Sequence, residues 1–164
     1  VDVVVAEKFA EEMQKNVTNP IKITTNPKEA TDHEVLITVT HAQEPFLTRS
    51  MVKPGTIIMP MGSFQEISDD LILAMDKLYV DHIEQSFHRG ALKDLYECGE
   101  IDFDMVTATF DELVAVDSTP LPDMDKDITI TIPIGTGALD VTLAGIVYER
   151  AIEKNIGTDF DITQ

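Results

Sequence analysis

The stretch "HEVLITVTHAQEPFLTRSMVKPGTIIMPMGS", residues 33–63, holds two short apolar runs rich in β-branched residues. "VLITVT" (35–40) and "GTIIMPMG" (55–62) each read as a buried strand. The first is followed by "HAQEP" (41–45) and the second by "GSFQE" (62–66), both small or polar. "VKPG", just before the second run, has turn chemistry. Two such strands need a covered, two-sided sheet around them, and the rest of the chain supplies its parts.

Downstream, "KLYVDH" (77–82) and "DITITIPIG" (127–135) repeat the strand pattern. Helical spacing fills the intervals. In "AEKFAEEMQKN" Phe9 and Met13 fall four apart, on one face. "SDDLILAM" (68–75) opens on Ser68 as N-cap with acids in its first turn. "DHIEQSFHRGALKDLYECG" is helical with Gly90 interrupting it and Gly99 closing it, and "ALDVTLAGIVYERAIEKNIG" ends in Lys154, Asn155 and Gly157. Strands alternating with helices predict an α/β fold, a doubly wound and mostly parallel sheet.

Composition bounds the partners. At 164 residues the chain is one domain's worth. The formal charge of −18 opposes unaided nucleic-acid binding, which needs clustered Lys and Arg. No apolar run approaches the ~18 residues of a membrane span, so no membrane partner is expected. The single cysteine, Cys98, excludes an internal disulfide, reads as structural and fits a reducing, cytoplasmic compartment. The start, "VDVVVAEKFAEEM", carries neither a secretory signal nor an initiator Met, which predicts an upstream part.

Ligands of open parallel sheets sit beyond the carboxyl ends of the strands. The candidate rim is therefore "HAQEP", "GSFQE", "IEQSFHRG" (83–90) and "GTGALD" (135–140). His41, His82 and His88 lack an HxxxH or HxH spacing, so no metal is expected there. Gly135 and Gly137 form an incomplete dinucleotide fingerprint: Asp140 occupies the third glycine position and would repel a phosphate. They read either as a close approach to a sugar or nicotinamide, or as a tight turn.

Taken in order, "EKFAEEM", the 33–63 stretch with its "EP" and "KPG", "YVDHIEQSFHRGAL" and "GTGALDVTLAGIVYERA" resemble the ornithine cyclodeaminase and μ-crystallin family of NAD(P)-dependent proteins. The resemblance covers nearly the whole chain. It implies a Rossmann-like fold lacking its first strand and glycine-rich turn. A substrate and dimerisation domain would lie upstream in a homo-oligomeric (homodimeric) parent. The cofactor implied is NAD, because Asp2 falls where the family places an acid on the adenine ribose. The rival reading makes Asp2 a frayed end. Thr38, Thr40, His41, Gly62, Ser63, Gly135 and Gly137 fall at the cofactor-facing positions.

The family chemistry implied is oxidation of an amino acid to an imine, with deamination and ring closure, ornithine giving proline and ammonia. Its catalytic aspartate belongs in a "GGD" or "GAD" turn, and here the turn reads "GSFQE". Glu66 is the substitute candidate, against a reading as a solvated glutamate. The alternatives are an imine reductase or amino-acid dehydrogenase of the same family, and a non-catalytic NAD(P)H binder. The topology carries a further expectation. Without the first strand, a strand near "IKITT" (21–25) is parted from the one at 35–40. Either "VDVVV" pairs as a substitute strand, or this is a piece of a longer polypeptide that by itself is inactive.

Overall fold

The computed structural model describes residues 2–62, 65–115, 120–158 and 160. Its centre is a parallel sheet of five strands: β1 (Val35–Thr38), β2 (Ile57–Pro60), β3 (Lys77–Val80), β4 (Ala108–Thr109) and β5 (Thr129–Ile132). Their spatial order is β1-β2-β5-β3-β4. The register is fixed by pairs such as Leu36 with Ile58 and Leu78 with Ile130. An Asp76 carboxylate oxygen accepts from the Ile128 N–H at 2.8 Å, aligning the start of β5 on β3.

The helices are α1 (Val3–Met13), α2 (Pro27–Thr31), α3 (Asp69–Leu73), α4 (Ile83–His88), α5 (Lys93–Glu97), α6 (Phe110–Ala115) and α7 (Gly137–Glu153). One core joins Ile58, Leu78, Val80 and Ile130 from the sheet to Leu71, Ile72, Phe87, Leu92 and Leu95 from the helices. Phe87 sits edge-on to both Tyr96 and Phe103, with ring centroids 5.4 and 5.0 Å away. Burying these side chains is what pins α4 and α5 to the sheet. The long helical segment breaks at Gly90, as its sequence predicts, into α4 and α5.

The "KPG" turn is held from outside. Gly55 has φ +79, and a Cβ there would lie 2.1 Å from the Met124 carbonyl oxygen. Gly55→Ala is therefore expected to cost about 2 kcal/mol of stability, seen as a lower urea midpoint at unchanged slope. An unchanged midpoint would show that the Met124 backbone yields freely.

Two expectations at the amino-terminal side change. "VDVVV" does not pair as a strand, because residues 3–5 open α1. Asp2 takes extended backbone and its Oδ1 accepts from the Val4 and Val5 N–H groups, at 3.0 and 3.3 Å. Such a cap outweighs the weak helix propensity of three valines. "IKITT" is not a strand either. Among the described residues it has no ladder partner, and a strand gains its backbone bonds only from a neighbour. Among the described residues β1 consequently pairs on one side alone, with β2. Val35 and Ile37 along it, and Val39 just beyond, are 51, 61 and 73% exposed. A groove of about 420 Å³ separates β1 from residues 24–27. Neither α1 nor α7 buries any residue. Missed from the sequence were β4, only two residues long, α6, and α2, whose stretch "NPKEATD" reads as a turn. Cys98, read as structural, is exposed at the end of α5. No helix among the described residues is long and apolar enough to cross a membrane.

Candidate functional site

Parallel strands bring their carboxyl ends to one edge, so the turns after β1, β2, β3 and β5 share a rim. The turns after β1 and β2 are joined a second time farther along the chain. Leu47 and Ile67 form an isolated parallel bridge, and the Glu66 carbonyl accepts from both the Phe46 and Leu47 N–H groups at 3.1 Å. Ser68 returns a bond from its N–H to the Leu47 carbonyl at 3.0 Å. The backbone of Glu66 is thus anchored, and its side chain reaches back to the strand ends.

That side chain is fully buried. Oε2 accepts from the Thr38 hydroxyl at 2.6 Å and the Gly62 N–H at 2.8 Å. Oε1 accepts from the Thr40 N–H and the Thr40 hydroxyl, both at 2.7 Å. None of the four ion pairs found among the described residues involves Glu66, so hydrogen-bond donors alone hold the charge. Burial pushes the carboxyl's pKa up. The Thr38 and Thr40 hydroxyls and the Gly62 and Thr40 N–H groups outweigh it and hold Glu66 below the ordinary glutamate range. An anion with all four lone-pair positions occupied is a weak proton acceptor. Gly62 is part of the same fit, because a Cβ on it would fall 2.4 Å from the Glu66 carboxyl carbon.

A second group gathers around Gly135. Its N–H donates to Asp81 Oδ2 at 2.6 Å, and its carbonyl accepts from an Arg89 guanidinium nitrogen at 2.9 Å. The same nitrogen donates to the Gln85 side-chain oxygen at 2.9 Å, which steers the guanidinium. Between the groups lies a cavity of about 250 Å³, bounded by Gly62, Arg89, Gly90, Ile132, Pro133 and Ile134. A Cβ built on Gly135 or Gly137 would meet nothing within 4 Å, so ligand atoms can approach that backbone.

Of the residues expected from sequence, Thr38, Thr40, Gly62 and Glu66 are bonded into one cluster. Gly135 is held beside the cavity, and Gly137 is the first residue of α7. His41 is exposed, and its carbonyl accepts from the Gln43 amide at 3.1 Å. Asp2 stands apart as the cap of α1, with Oδ1 engaged. Ser63 lies outside the described residues. His82 caps α4 through Nδ1 and His88 lies edge-on to Tyr96. Sequence reading missed Arg89, whose partner is 46 residues away and visible only once the strands are ordered.

Comparison with known proteins gives the family and the fold. The model of the ornithine cyclodeaminase/mu-crystallin family matches residues 1–155. Alanine dehydrogenase of Archaeoglobus fulgidus is 34% identical over 137 residues, covering 80% of this chain and 41% of that protein. Ketimine reductase mu-crystallin of Rattus norvegicus is 34% identical over 149 residues, covering 88% of this chain and 43% of its own length. Among solved structures, Delta(1)-pyrroline-2-carboxylate reductase of Thermococcus litoralis, in complex with NADH and L-proline, superposes with a TM-score of 0.85 at 26% identity. That match covers 98% of this chain and 51% of the other. The chain spans about half the length of the relatives it matches.

Proposed function

The chain belongs to the ornithine cyclodeaminase/mu-crystallin family, and from that premise we propose that it forms the nicotinamide-side part of an NAD-dependent enzyme acting on an amino acid or a cyclic imine. The carrying observation is that the turns after β1, β2 and β5 reach one sheet edge, where Gly62 and residues 132–134 line a cavity and Glu66 ties Thr38 and Thr40 to Gly62. The glycine-rich phosphate turn, the substrate domain and the dimer contacts belong, in this reading, to upstream sequence. The unpaired edge of β1 and its apolar groove are where an upstream strand fits.

The residues present suit the nicotinamide end of the cofactor. Gly135 and Gly137 offer open backbone, and Ile132, Pro133 and Ile134 give the cavity one apolar side for a planar ring. When bound, the cofactor supplies hydride transfer at the nitrogen-bearing carbon of the substrate. This chain orients: Asp81 and Arg89 grip Gly135 from its two sides and fix the turn beside the cavity. Glu66, the carboxylate of the Gly62 turn, has its lone pairs taken by the rim's own donors and is not available as the acid or base.

The absence of the family's turn aspartate, and relatives named as an alanine dehydrogenase and a Delta(1)-pyrroline-2-carboxylate reductase, favour simple oxidation or reduction over deamination with ring closure. The test mixes full-length protein with NAD⁺ and L-alanine or L-ornithine, and with NADH and Δ1-pyrroline-2-carboxylate. Reduction of the cyclic imine, or steady NADH production from an amino acid, is expected. Ammonia release from ornithine without net NADH would instead establish the cyclodeaminase. NADH binding with no turnover on any of these substrates would establish a binder.

Asp2 gives a separate prediction. Asp2→Ser keeps an oxygen cap on α1 but removes the charge. If Asp2 also faces the adenine ribose, the preference of full-length protein for NAD⁺ over NADP⁺ falls by about tenfold, as a ratio of dissociation constants. An unchanged ratio would leave Asp2 as a helix cap alone.

A further inference from the structure

We infer that Glu66 is a positioning residue: its buried carboxylate couples the turn after β1 to the turn after β2 and so presets the surface that receives the nicotinamide. The inference rests on the reading above that this rim takes the cofactor.

Three observations carry it. First, each carboxylate oxygen receives donors from the rim itself, Oε1 from Thr40 and Oε2 from Thr38 and Gly62. The two turns are 22 residues or more apart in sequence and share this one acceptor group. Second, the requirement is chemical and not only steric. Each oxygen takes one backbone N–H, from Thr40 on one side and Gly62 on the other. A hydroxyl can rotate to accept, but a backbone N–H cannot. A glutamine in this place must therefore set its amide nitrogen against one backbone N–H, whichever way it is turned. Third, Gly62 borders the cavity while packing its Cα against the carboxylate, so a shift of Glu66 shifts the cavity wall.

Preset donors and walls lower the ordering that ligand binding must otherwise supply. Losing the clamp should therefore weaken cofactor binding beyond any general loss of stability. The experiment titrates full-length wild type, Glu66→Gln and Glu66→Asp with NADH, following its fluorescence at a temperature where each is folded by circular dichroism. Glu66→Asp keeps the charge but withdraws it by one methylene, and serves if the glutamine variant does not fold. Leu95→Ala, which opens a cavity under α5 at its one buried residue, is the control for lowered stability. The dissociation constant is expected to rise about tenfold in Glu66→Gln and less in Glu66→Asp, with the control within about twofold of wild type. A folded Glu66 variant that binds NADH as wild type does overturns the inference, as does an equal weakening in Leu95→Ala. A wild type that binds no NADH removes the cofactor reading itself, and the inference with it.

Discussion

Glu66→Gln is expected to destabilise the protein by about 2–4 kcal/mol, because any amide orientation leaves a buried backbone N–H facing another donor. The urea midpoint of the full-length protein should fall at unchanged slope. The size follows from the setting. Glu66 is fully buried and is charged without a cationic partner, so its four donors replace all of the water it gave up. Acid should reveal the same charge. The folded pKa is held below the unfolded value, so the carboxylate's contribution is present in full above about pH 4.3 and is lost as pH falls through the folded value. Wild type should therefore lose more stability than Glu66→Gln between about pH 4.3 and lower pH. Parallel acid profiles would mean that the clamp is not ionised in the fold.

The second large effect is expected at Gly62. An alanine Cβ would stand 2.4 Å from the Glu66 carboxyl carbon and 2.6 and 2.7 Å from its oxygens. A long side chain can often swing clear of such a contact, but this one is held by four hydrogen bonds. Either the carboxylate leaves its donors or the turn opens, so Gly62→Ala should cost about 2–3 kcal/mol. The signature is non-additivity. Once Glu66→Ala has removed the carboxylate, the added Cβ meets an empty space, and Gly62→Ala should cost at least about 1 kcal/mol less than in wild type. Equal costs in both backgrounds would place the strain elsewhere in the turn.

Much of this architecture could be read from residues alone, and the reasons are local. "VLITVT" and "DITITIPIG" are dense in β-branched residues, and both contain the strands that form. Gly90 breaks the long helical pattern where it was expected to. The rim followed from strand order, because what comes after a parallel strand lies at one edge. β4 escaped because two residues carry no periodicity. Of the two alternatives for the amino-terminal side, the substitute strand at "VDVVV" fails because the Asp2 cap draws residues 3–5 into α1. The role of Glu66 was hidden for another reason. Sequence placed it in the Gly62 turn but could not show that Thr38 and Thr40, 28 and 26 residues away, consume its lone pairs. A glutamate in a loop is ordinarily solvated, and only the Leu47–Ile67 bridge turns this one inward.

Amide hydrogen exchange of the full-length protein, with and without saturating NADH, tests most directly whether these strand-end turns form the nicotinamide side of a cofactor site. Slower exchange is predicted for peptides spanning residues 38–42, 61–66 and 133–139, with little change in α5. Saturation by NADH that leaves all three segments unprotected would contradict the account.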